Sequence, residues 1–276
     1  MIIEKFEGVT PTEKLLAKYC ENTFFKLWSY ANPYNDKHDE LCDLLAVFEN
    51  HIYIFFDREN LILEDKSKNP EVSWNRWKKK VIDDQIRTAK GAERYILSGR
   101  EIFLDQKNLI SFPIKIDHEK SIVHKIIIAH GAKNACKDAS IDNIYGSLAI
   151  SYGPNDIEFP LPFFIHLDKN DPVHIFDSYN LPIIFSELDT FYDFTSYIEE
   201  KENAINKYDS LVYCGEEDLL AHYFLNFNED NNNHYIGTLD TDINGIYIGE
   251  GEWHEFKKHK QYIARKEADK ISSGMT

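Results

Sequence analysis

Cysteine, glycine and positive charge are all scarce in this sequence, and each shortage removes a class of protein. Four cysteines among 276 residues, at positions 20, 42, 136 and 214, form no C-x-x-C pair. A zinc knuckle and a thioredoxin-type redox motif are therefore excluded, and reduced, mostly buried thiols are expected. Twelve glycines supply neither G-x-G-x-x-G nor G-x-x-x-x-G-K-[ST], so a dinucleotide fold and a P-loop have no support. The serine-hydrolase elbow G-x-S-x-G is also missing, and the 11 histidines form no H-E-x-x-H or H-x-H cluster. No run approaches the roughly 20 apolar residues a membrane-spanning helix needs. Met1 to Phe6 does not read as a signal peptide, and a cytoplasmic location is expected. Only 31 Lys and Arg stand against 47 Asp and Glu, a formal charge of −16. That balance argues against holding nucleic acid by bulk charge.

What is present is apolar. Hydrophobic residues make up 43% of the chain and aromatics 14%, enough for a sizeable core and too much for wholesale disorder. Thr10, Pro11 and Glu13 read as an N-cap, an N1 proline and a capping-box acid, opening a helix to about Trp28. Leu41 to Phe48 and His51 to Phe56 are strand-like runs separated by Glu49-Asn50, a hairpin signal. Trp74 to Leu97 reads as a helix with a buried stripe, ended by Ser98-Gly99. Further strands are expected at Glu101–Leu104, Leu109–Ile116, His124–His130, Ala149–Ser151, Phe163–Leu167 and Val173–Asp177. Asn180 to Tyr197 is expected to hold a short strand and then a helix. Helices are expected at Glu199–Tyr208, Glu216–Phe227 and Trp253–Lys270. The pattern is α/β, a mixed sheet flanked by helices, dividing into residues 1–100 and an α+β accessory or partner-binding region over 101–276.

The hairpin carries the chemistry. With the turn centred near Asn50, cross-strand partners obey i + j ≈ 100, which places Asp43 opposite Asp57 on one face, with Glu59 two residues further along. Like charges directly opposite destabilise a sheet, whereas a divalent cation gives them a purpose. Such an ion activates water and stabilises the departing oxygen of a phosphodiester. The bland alternative, in which both aspartates simply end their strands in solvent, stays open on geometry alone.

A helix bearing an acid, then Asp43, a hairpin, the pair Asp57-x-Glu59 and a following helix resemble the PD-(D/E)XK nuclease superfamily over about residues 10–97. The run Trp28 to Tyr34 before Glu40-Leu41-Cys42-Asp43 is similar to nuclease-like proteins of bacterial antiviral defence. The resemblance implies a restriction-endonuclease-like core. Asp43, Asp57 and Glu59 would hold Mg²⁺ or Mn²⁺, with Glu13 or Glu21 as the helical glutamate and Gln85 as the glutamine of RecB-like members. The sequence departs from the pattern at Glu59, where a lysine is usual. Arg58 or Lys66 could supply the charge, and a second registration pairs Asp43 with Glu64-x-Lys66.

Lys78, Lys79 and Lys80, with Arg87, Lys90, Arg94 and Arg100, concentrate positive charge after the acids. They read either as a phosphate-contacting face or as a solvated helix surface. His130, at the end of a buried strand, reads as structural. The expected activity is metal-dependent DNA hydrolysis in antiviral defence, with DNA weakly held by the chain alone. A protein partner in a defence complex and self-association are further expectations, and no membrane association is expected. The rivals are an inactive nuclease-fold subunit that binds a protein and an acidic inhibitor that mimics DNA.

Overall fold

The computed structural model describes residues 7–139, 145–153, 163–230, 232–240 and 242–273. Helix α1 (Pro11–Trp28) starts as its sequence requires: Thr10 Oγ1 accepts the Glu13 N–H at 3.1 Å and donates back to the Glu13 carboxylate at 3.0 Å. A short strand β1 (Ser29–Ala31) leads to β2 (Leu44–Phe48) and β3 (His51–Glu59). After a 3₁₀ turn, α2 (Pro70–Lys78) passes through a π-helical turn into α3 (Asp84–Leu97), which precedes β4 (Ile122–His130) and α4 (Lys133–Ala139). Strands β5 (Ala149–Tyr152), β6 (Phe164–Leu167) and β7 (His174–Asp177) precede α5 (Leu181–Glu187) and α6 (Phe191–Lys207). Then come β8 (Ser210–Tyr213), α7 (Glu216–Leu225), β9 (Phe227–Asn228), β10 (Asn233–His234) and β11 (Gly245–Ile248). Helices α8 (Glu252–Phe256) and α9 (Lys260–Ser273) complete the described chain.

The fold is α/β, with mixed sheets flanked by helices. One sheet runs β1-β2-β3-β4-β7, antiparallel from β1 to β3 and parallel from β3 to β7. A second runs β11-β8-β5-β6. The boundary expected at residue 100 falls inside the first sheet, since β4 and β7 come from beyond it. A parallel neighbour needs a crossover connection, and α2 and α3 are that crossover between β3 and β4. Side chains alternate faces along a strand, so Tyr53, Phe55 and Asp57 share one face of β3. There Phe24 of α1 stacks on Tyr53 at 5.6 Å, and Phe185 and Phe194 of α5 and α6 meet Phe55. The other face takes α3, whose Glu93 pairs with Lys125 of β4 at 2.7 Å.

Several expectations need correction. The strands expected at 101–104 and 109–116 are reduced to isolated bridges, Tyr34 with Phe103 and Phe103 with Ser111. Asp105 accepts the N–H groups of Lys107, Leu109 and Ile110, so a side chain takes donors that a ladder would have used. The short strand expected after Asn180 is instead α5, with Pro182 in its first turn, a position proline favours. The single helix expected over 253–270 is two, α8 and α9. Cys20, Cys42 and Cys136 are buried and Cys214 half-buried, all as free thiols.

Gly131, directly after β4, has φ +94°, and a Cβ there would lie 2.2 Å from the Asn60 backbone oxygen. The close passage ties the end of β3 to the end of β4. Gly131→Ala is expected to cost about 1–3 kcal/mol through strain and clash, measured as a lower urea midpoint. An unchanged midpoint would show that the passage opens freely.

Candidate functional site

The carboxyl ends of parallel strands are where α/β sheets collect functional groups, and Asp57, His130 and Asp177 lie at those ends of β3, β4 and β7. The hairpin register differs from expectation by one residue. Its two-residue turn, with Glu49 at φ +53°, pairs Phe48 with His51 and Leu44 with Phe55, so partners sum to 99 and Asp43 is not directly opposite Asp57. A one-residue slip reverses faces, but Asp43 escapes it. Its N–H bonds the Phe55 carbonyl at 3.0 Å although Phe55 already pairs with Leu44. That is a β-bulge, which re-aims a side chain. The Asp43 carbonyl accepts from Asn32 N–H at 2.9 Å, and its carboxylate accepts the Asp57 N–H at 2.6 Å.

Asp43 is thus set beside Asp57 through the backbone. Burial, together with the nearby charges of Glu40, Glu13 and Asp57, pushes its carboxyl up to about 8, against the pull of the Asp57 N–H. Asn32, 2% exposed, donates from Nδ2 to Glu13 at 3.5 Å and also to Glu40. Its Oδ1 is buried without a partner among the described residues. Asp57 Oδ2 lies 3.2 Å from His130 Nε2, and His130 Nδ1 lies 2.8 Å from Ser178 Oγ. Trp77 Nε1 donates to the His130 carbonyl at 3.0 Å, fixing the strand end that carries this chain of bonds.

The other expected residues divide. Glu13 is both cap and neighbour of Asp43, its Oε2 accepting the Val9 N–H at 2.7 Å. Glu21 is paired with Lys26 at 3.6 Å. Glu59 is exposed and in register with His130. Asp43, Asp57 and Glu59 do not form a set with ligand atoms within 4.8 Å of one another. Arg58 and Gln85 meet on the α3 face. With its amide oxygen turned toward Arg58, Gln85 accepts from Nε at 3.0 Å and Nη2 at 3.3 Å.

Lys66 pairs with Asp138 at 3.1 Å and Lys78 with Asp83 at 2.9 Å. Arg87 pairs with Asp84, Lys90 with Asp171 at 2.7 Å, and Arg100 with Asp36. Much of the basic cluster is therefore already neutralised. Lys79 and Lys80 are exposed and form no ion pair among the described residues.

Sequence reasoning missed Glu40, Asn32 and Ser178 and assigned His130 to structure. Glu40 was legible, since it lies three residues before Asp43, but Ser178 is brought in only by the pairing of β4 with β7. Compared with known proteins, the chain matches no family model, no curated protein and no solved structure. Among the described residues, no helix is long and apolar enough to cross a membrane.

Proposed function

We propose that the protein is a metal-dependent nuclease of the PD-(D/E)XK kind, cleaving DNA in the bacterial cytoplasm as part of antiviral defence. The observation that carries this reading is Asp43, raised to about 8 by burial beside Glu40, Glu13 and Asp57 at the end of the central sheet. Folding alone does not favour a buried carboxyl surrounded by its own charge. The order of helix, hairpin, acidic strand end and crossover helix supports the same reading.

The donors suit Mg²⁺ or Mn²⁺. Asp43 and Asp57 offer carboxylate oxygens, Glu13 and Glu40 lie beside them, and the buried Asn32 Oδ1 has no partner. Hard oxygen ligands of this kind select such ions. When bound, the ion would supply an activated water and neutralise charge on the scissile phosphate. Asp43 would have to be ionised to hold it, while its link to the Asp57 N–H holds the two acids in register. His130 is set between Asp57 and Ser178, with Nε2 3.2 Å from the Asp57 carboxylate and Nδ1 2.8 Å from Ser178 Oγ. Arg58, Lys79, Lys80 and Arg94 are among the cations that form no ion pair among the described residues and remain for the phosphate backbone.

Purified protein incubated with double-stranded DNA and Mg²⁺ or Mn²⁺ is expected to cleave it, and EDTA to stop the cleavage. One observation favours a second reading, an inactive subunit that binds a protein partner: Glu59 points to solvent and does not converge with Asp43 and Asp57. No cleavage with either ion, together with no Mg²⁺ or Mn²⁺ binding at the Asp43 and Asp57 face, would end the first reading and support the second.

A further inference from the structure

At the opposite end of the same strands, three residues far apart in sequence converge. His124 of β4, His174 of β7 and Glu202 of α6 each bring one ligand atom within 4.8 Å of the others. The register explains why. His124 pairs with Tyr53 and His174 with Ile126, so both imidazoles face the side of the sheet that α6 covers. Glu202 Oε1 lies 2.9 Å from His124 Nδ1 and 3.0 Å from His174 Nε2. Both histidine side chains are fully buried, whereas Glu202 is 23% exposed, so the cluster opens to solvent past Glu202. We propose that His124 Nδ1, His174 Nε2 and the Glu202 carboxylate form a binding site for a divalent transition-metal ion of the zinc class.

The donor set argues for this ion rather than for Mg²⁺. Two imidazole nitrogens and one carboxylate are zinc ligands, while Mg²⁺ takes oxygen almost alone. Zinc–nitrogen bonds of about 2.0–2.1 Å in a tetrahedral site put ligand atoms roughly 3.3 Å apart. The two nitrogen–carboxylate separations, 2.9 and 3.0 Å, reach that spacing by opening a few tenths of an ångström, which rotation of the part-exposed Glu202 supplies, and the two nitrogens lie within 4.8 Å of each other. A supporting layer is present as well: His124 Nε2 lies 3.0 Å from His51 Nδ1, and His51 Nε2 lies 3.6 Å from Glu199. Ligand histidines are commonly oriented by a second nitrogen held in this way.

The protonation states agree with that geometry. Burial holds His174 below the ordinary histidine range. Burial alone would raise Glu202, but its bonds with His124 and His174 hold it far below the usual carboxylate range. A metal requires a neutral imidazole and an ionised carboxylate. Three protein donors leave a fourth position for water, and the ion would tie α6 to β4 and β7. His124 and His130 are six residues apart on one strand, roughly 20 Å at the usual strand rise. The site is therefore separate from the Asp43 carboxylates and stands or falls without the nuclease reading.

The full chain titrated with Co²⁺ is expected to bind one ion at this nitrogen-containing site, followed by its visible absorption. Its visible spectrum should be that of a four- or five-coordinate nitrogen and oxygen site, without thiolate charge-transfer bands, and Zn²⁺ should displace the ion. Glu202→Gln is expected to weaken Co²⁺ binding by ~100-fold or more, and His51→Asn by ~10–100-fold. Asp43→Asn should leave the binding unchanged. Absence of the bands in the wild type, a thiolate band, or full affinity in Glu202→Gln would overturn the proposal. If Glu202→Gln does not fold by circular dichroism, His51→Asn decides the matter: unchanged affinity overturns the site.

Discussion

Asp43→Asn is expected to reduce Mg²⁺- or Mn²⁺-dependent DNA cleavage by ~100-fold or more, the scale for removing one electrostatic group from an active site. The chain should stay folded, because the asparagine oxygen still accepts the Asp57 N–H that the carboxylate accepts at 2.6 Å. Stability supplies a second readout with a definite sign. Asp43 sits at about 8 in the folded chain against an ordinary 3.8. From about pH 4 upward the unfolded chain releases a proton that the folded chain keeps. Stability attributable to this group therefore falls as pH rises between about 4 and 8, by up to ~1.4 kcal/mol per pH unit. Asp43→Asn removes that slope, and a bound cation opposes it in the wild type because binding needs the ionised carboxylate. Denaturant midpoints across this range check the sign, and cleavage at the wild-type rate would sink the proposed role of Asp43.

The largest effect on stability is expected away from the site. Lys201 of α6 and Glu216 at the start of α7 are both fully buried, with Nζ at 2.6 and 2.7 Å from the two carboxylate oxygens. Tyr197 donates to Glu216 at 2.8 Å, and the Tyr213 ring lies 5.2 Å from Nζ. Lys201→Met leaves the buried Glu216 carboxyl without its counter-ion, a loss of about 3–5 kcal/mol. At about 2–4 °C per kcal/mol for a chain of this size, Tm should fall by roughly 6–20 °C. Lys201→Met combined with Glu216→Leu should recover much of the loss, because burying two apolar side chains avoids the desolvation of both charges. Calorimetry on the single and double variants separates these outcomes. An unchanged Tm in Lys201→Met would mean that Glu216 takes up a proton at little cost.

Where local rules operate, the sequence was legible. Thr10, Pro11 and Glu13 announced the start of α1 because capping involves only neighbours in the chain. The apolar runs on either side of Glu49-Asn50 announced the hairpin, and the stripe from Trp74 to Ile96 announced the crossover helix for the same reason. The register was misread by one residue, since a two-residue turn and a turn centred on Asn50 look alike in sequence. The bulge that returns Asp43 to Asp57 depends on Asn32, just past the end of β1, and on Phe55 of β3. The strands expected between 101 and 116 were lost to Asp105, whose carboxylate competes for the same backbone donors.

The sequence by itself determined the α/β class, the helix that opens the fold, the hairpin and the acids at its mouth. Periodicity and capping are short-range, so they can be read along one line. Only the tertiary structure decided that β4 and β7 extend the hairpin sheet, that His130 stands against Asp57, and that Lys78, Arg87, Lys90 and Arg100 are taken up by acids while Lys79 and Lys80 are not. It also decided that His124, His174 and Glu202 meet. Each of these depends on which strands become neighbours, a choice made by burying apolar faces across more than a hundred residues of chain.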